Sequence, residues 1–166
     1  MRRLVVPPRP YRFFEVVWRR LKPRGLMRLL LAKHYEAGRT KLVGGFLLLL
    51  FGQTVSYAFG GWRREDQSLR PNDALHWRAI QDACAEGYRC YDFGEVLRNN
   101  QGLAEFKSKW GAEPKWLYRY YYPAAHESEI GILESTGRVH KFASATWRWL
   151  PTKAVAQLSA WAHRYF

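Results

Sequence analysis

The spacing of apolar residues changes several times along this chain, and each change marks a new element. Over residues 12–22, Phe13, Val16, Val17 and Leu21 recur at helical spacing, with Arg19 and Arg20 on the other side. Pro23 and Gly25 end that helix, and Pro7, Pro8 and Pro10 predict an extended basic arm over residues 1–12. Two environments suit so basic an amphipathic helix: a membrane surface or the face of a sheet. Residues 27–35, 41–51 and 53–61 then read as three strands. The links between them are short and contain Gly38 and Gly52, which forces an antiparallel meander. The longest apolar run, residues 42–51, falls well short of the roughly 20 residues needed to cross a bilayer. It predicts instead a central strand buried on both faces.

Beyond the meander, helical and extended patterns alternate. A charged loop over residues 63–70 leads to Pro71-Asn72-Asp73, which opens a helix running to residue 86. Leu75, Ala79, Ile80 and Ala83 form its apolar face, and Gly87 closes it. Residues 89–96 read as a strand, residues 102–110 as a helix with Leu103, Phe106 and Trp110 inward, and residues 115–122 as a further strand. A polar stretch follows to residue 137, then helical segments over residues 139–149 and 151–165.

A chain of 166 residues, 48 % of them hydrophobic, supports one domain with a core of its own. Its 27 Lys and Arg against 14 Asp and Glu leave a net charge of +13. A field of that sign favours polyanions: RNA, nucleotide phosphates, acidic glycans or anionic headgroups. Cys84 and Cys90 have no Cys or His pair nearby at zinc spacing, so no metal is expected and both thiols are expected to be buried and reduced. Reduced thiols, with neither a signal peptide nor a spanning run, fit a cytoplasmic protein.

Residues 83–123 are the most specific stretch. They place Asp92-Phe93-Gly94 at a strand end, Phe106-Lys107 on a helix, then Gly111, then an aromatic strand with Tyr118, Tyr120 and Tyr122. This order and spacing resemble the C-terminal half of FemAB-like transferases, which belong to the GNAT (N-acyltransferase) superfamily. The tail, where Trp147-Arg148-Trp149-Leu150-Pro151 precedes an amphipathic helix, resembles FemAB-like proteins found beside exosortase and exopolysaccharide systems. The resemblance implies an α/β (α+β) GNAT fold. Its parts are a mixed central sheet with an antiparallel N-terminal meander, a splayed parallel pair of strands, and flanking helices. It implies a GNAT-like domain over residues 13–123 and a C-terminal helical extension over residues 124–166. FemAB-like proteins usually have two tandem GNAT-like halves with the acceptor between them, and this chain begins at the second. A separate half or a homodimer mate would then complete the pocket.

On that resemblance, Lys107 and Asp92 carry the chemistry. The family's matching lysine stabilises the oxyanion of a tetrahedral intermediate or a phosphate of the donor; the plain alternative is a solvated helix lysine. Asp92 orients an incoming amine or holds Lys107 by charge; alternatively it caps the turn that follows its strand. Phe106, Tyr118 and Tyr120 are candidate substrate contacts, the alternating tyrosines lining a cleft or packing as core. Arg63 and Arg70 flank the loop before the central helix. Many GNAT proteins carry a Gly-rich loop there, which cradles the pyrophosphate of coenzyme A. This chain has Leu69-Arg70-Pro71-Asn72-Asp73 instead, which disfavours an ordinary acetyl-CoA enzyme. The five histidines, His34, His76, His126, His140 and His163, lack ligand spacing and are assigned no role.

The leading expectation is a transferase that moves an acyl or aminoacyl group to an amine of a cell-wall precursor or exopolysaccharide sugar. Aminoacyl-tRNA or acyl-CoA is the donor, and no other cofactor is implied. One alternative is a non-catalytic basic GNAT-like module, or half-enzyme, that binds RNA, membrane or a partner chain. Another is a small-molecule N-acyltransferase using acyl-CoA. The aromatic and basic tail, with Trp147, Trp161, Arg148 and Lys153, either packs on its own domain or suits an anionic membrane surface and a place at the inner face of the membrane.

Overall fold

The computed structural model describes residues 9–118 and residue 120. The chain divides into two compact units, one of Trp18–Leu117 and one of Met1–Val17 with Tyr118–Phe166. Most of the N-terminal arm, the expected helices over residues 139–149 and 151–165, and the C-terminal extension lie outside the described residues. Helix α1 spans Tyr11–Leu21 and begins where the Phe13 N–H donates to the Pro10 carbonyl at 3.0 Å. None of its residues is fully buried.

Within the unit Trp18–Leu117 the meander forms as expected. Strands β1 (Met27–Glu36), β2 (Arg39–Phe51) and β3 (Thr54–Trp62) pair in antiparallel succession. The first hairpin turns on Ala37 and Gly38, both at positive φ (49° and 76°), the turn geometry that matches strand twist. Helix α2 (Pro71–Ala85) crosses over to β4 (Cys90–Asp92), which pairs parallel with β3. The sheet order is β1-β2-β3-β4. Helix α3 (Gln101–Ser108) follows, capped by Asn100, whose side chain accepts the Leu103 N–H at 3.2 Å.

The core lies between one face of the sheet and α2. Phe46, Leu48 and Leu50 alternate inward along β2 and meet Val55 of β3 and Leu75, Ala79 and Ala83 of α2. Each large apolar side chain buried there stabilises the fold by about 1.5–3 kcal/mol. Gly44 admits the start of α2: a Cβ at that position would stand 3.3 Å from the Pro71 and Trp62 side chains.

The structure corrects several expectations. β2 is central but not buried on both faces: α2 covers one face, while Leu47 and Leu49 on the other are only half-buried, beside Leu29 of β1, which is 46 % exposed. Residues 63–70 are not an open loop, because successive i to i+3 hydrogen bonds wind Arg64–Leu69 into a 3₁₀ helix. The strand expected over residues 89–96 is only three residues long, for a reason given below. No strand forms over the described part of residues 115–122: Pro114 lacks an N–H, and Trp116, Leu117 and Tyr118 are 78 %, 68 % and 73 % exposed. Cys84 and Cys90 are free but exposed, the first beside inward-facing Ala83 on α2 and the second on an edge strand.

Candidate active site

A bulge shapes the place where β3 and β4 part. Phe59 pairs with Leu47 and Tyr57 with Leu48, so Ala58 is an extra residue on β3. Pairing with β4 runs only from Thr54↔Cys90 to Ser56↔Asp92, while β3 continues to Trp62. Asp92 ends β4 by local chemistry. Its Oδ1 accepts the Gly94 N–H at 2.7 Å, and Gly94 takes a φ of 73° that turns the chain away.

Helix α3 returns Lys107 to this turn. Its Nζ donates to the carbonyls of Gly94 at 2.7 Å and Glu95 at 3.1 Å. Partial burial pushes the Lys107 pKa down, and the nearby Asp92 and Glu95 carboxylates oppose that shift. An ammonium has three N–H groups, so one remains beyond the two carbonyls.

Behind the turn lies a buried imidazole. His76 is 2 % exposed, and its Nδ1 is 3.0 Å from the Tyr91 hydroxyl. Its ring centroid is 4.6 Å from Phe46, 4.9 Å from Phe93, 5.0 Å from Tyr57, 5.7 Å from Phe106 and 5.9 Å from Trp110. Burial, and secondarily the Lys107 charge, push the His76 pKa down to about 4, so it is neutral at pH 7. Burial raises the pKa of Tyr91 and of Tyr57, so both keep their protons.

The structure thus brings Asp92, Phe106 and Lys107 together, Phe106 by way of its packing on His76. Arg63 is engaged by acids of its own loop, pairing with Glu65 and lying 3.6 Å from Asp66. Asp66 is buried and also accepts from Lys41 Nζ at 2.7 Å. Arg70 sits at the start of α2 with a φ of 48°, its carbonyl accepting from the N–H groups of Asp73 and Ala74. Tyr118 and Tyr120 are 73 % and 92 % exposed and belong to the other unit. Sequence reasoning missed His76 of α2, whose ring meets Tyr91 of β4 and Phe106 of α3. Among the described residues no group of three His, Cys, Asp or Glu side chains could hold a metal ion, and no helix is long and apolar enough to cross a membrane.

An acetyltransferase (GNAT) domain family model matches residues 1–108, well over half of the chain. The chain belongs to this family, and the mixed sheet with its short parallel pair is the GNAT fold. The match ends with the last residue of α3 and so takes in both Asp92 and Lys107. No curated protein matches, and no solved structure does. Membership makes this an acyltransferase domain, of the class that takes a group from an acyl donor such as acyl-CoA and passes it to an amine.

Proposed function

We propose that the chain moves an acyl or aminoacyl group to an amine of a cell-wall precursor or exopolysaccharide sugar, as FemAB-like transferases do. One observation carries this reading. The two halves of the sequence pattern, Asp92-Phe93-Gly94 and Phe106-Lys107, meet in space through Lys107 and the Gly94 carbonyl. The amine nitrogen attacks the donor carbonyl carbon, and the oxyanion that forms takes the remaining N–H of Lys107. Asp92 orients the amine by its carboxylate. When the intermediate collapses, the bond to the leaving thiolate or tRNA hydroxyl oxygen breaks, and the proton lost by the amine balances the leaving group. Phe106 contributes to substrate binding.

Aminoacyl-tRNA suits the donor role better than acyl-CoA. The net charge of +13 favours a polyanion, and no Gly-rich loop opens α2. Arg63 and Arg70, in the segment before α2, supply cations for donor phosphates. An anionic membrane surface at the inner face, and a second GNAT-like half or homodimer mate, complete the proposed setting.

A second reading, a GNAT module that binds without transferring, draws on the engagement of both key groups with backbone: Asp92 with the Gly94 N–H and Lys107 with two carbonyls. Supplying labelled aminoacyl-tRNA and labelled acyl-CoA separately, each with an amino sugar acceptor, tests both. Label on the acceptor from either donor supports transfer; binding without transfer from both supports the second reading.

A further inference from the structure

We infer that His76 is the positioning residue of this site. Through its hydrogen bond with Tyr91 and its ring contacts with Phe106 and Trp110, it holds α3 against the end of β4, so that Lys107 meets the turn behind Asp92. The inference rests on the reading of Lys107 as the acting group.

α3 has eight residues, none of them fully buried, and so short a helix is not stable by itself. Among the described residues, β4 has three residues paired on one side only. Neither element fixes the other, yet Lys107 reaches Gly94 only if both are held in register. His76, from the middle of α2, touches each: Tyr91 and Phe93 at the end of β4, and Phe106 and Trp110 at the end of α3. An aliphatic side chain would fill the same space but leave the Tyr91 hydroxyl without this partner, at a cost for a buried polar group. A cation would fill it too, but would set a second positive charge against Lys107. The groups facing the imidazole are Tyr57 from β3, Tyr91 from β4 and Lys107 from α3, with Asp92 beyond the latter two. A neutral ring with one polar nitrogen answers all of these.

Lysine labelling tests the inference without aminoacyl-tRNA, acyl-CoA or an acceptor, so its failure is separate from failure of the transfer reading, which falls on the transfer assays. The folded chain is treated with a trace of acetic anhydride, and each lysine's rate is read by mass spectrometry. Lys107 is expected to react more slowly than exposed Lys109, two residues on. Tyr91→Phe keeps every ring and deletes only the hydroxyl; it should raise the Lys107 rate relative to Lys109 about fivefold, the worth of one hydrogen bond. The His76 ring nitrogen resonances should shift in the same variant. His76→Leu should raise the rate at least as much, while amide exchange in β1–β3 stays protected. An unchanged Lys107 rate in both variants overturns the inference. So does a rise matched by exchange across the sheet, because His76 would then support only overall stability. If His76→Leu does not fold, Tyr91→Phe decides alone.

Discussion

Lys107 Nζ stands 2.7 Å from the carbonyl of Gly94, thirteen residues back in the chain, and so ties the end of α3 to the turn that ends β4. The contact places a partly desolvated ammonium beside Asp92 where β3 and β4 part. It also means that Lys107 has a structural duty as well as a proposed catalytic one.

The buried imidazole gives the fold a pH dependence. His76 titrates at about 4 in the folded chain against an ordinary value of 6.5, so between those values the unfolded chain binds the extra proton. Stability from this group is fully present above about pH 6.5 and is lost as pH falls towards 4, to the order of 3 kcal/mol. Urea midpoints measured across that window should fall in the wild type, and that part of the fall should be absent from His76→Leu.

Gly60 is expected to tolerate no side chain. A Cβ there would fall on the Tyr57 hydroxyl, and the Tyr57 ring is held 4.6 Å from Phe46 and 5.0 Å from His76. Gly60→Ala must push that ring out of its packing. The expected cost is about 1–3 kcal/mol, seen as a lower melting temperature.

Asp66 depends on Lys41. Its Oδ1 accepts from Lys41 Nζ at 2.7 Å, while the buried Oδ2 lacks a hydrogen bond among the described residues and lies 3.6 Å from Arg63 Nε. Lys41→Met removes the carboxylate's hydrogen bond and leaves it only the longer Arg63 contact, and should cost about 1–3 kcal/mol in denaturant unfolding. Asp66→Asn, which removes the charge itself, should cost less.

The meander and the central helix were legible because their signals are local, whereas the parallel return was implied only by the family resemblance. Strand alternation, short Gly-bearing links and the Leu75-Ala79-Ala83 spacing each act within a few residues. What escaped depends on contacts distant in sequence. β4 stops at Asp92 because one carboxylate oxygen takes the Gly94 N–H, a choice the run of residues 89–96 does not reveal. Arg64–Leu69 winds up around Asp66, whose partner Lys41 is 25 residues away. His76 did leave a trace: with Ala79, Ile80 and Ala83 it falls on one helical face, at the spacing that turns inward. An ionisable residue on an apolar stripe is a reason to look for its partner, and that partner, Tyr91, lies on a different element.

The most direct measurement is the rate of label transfer from the effective acyl donor to an amino sugar acceptor, for wild type and Lys107→Met side by side. Circular dichroism would confirm that both remain folded. Loss of a positioned donor to a developing oxyanion predicts a fall of about a hundredfold or more. Equal rates in two folded proteins would contradict the assignment of Lys107 to the chemistry.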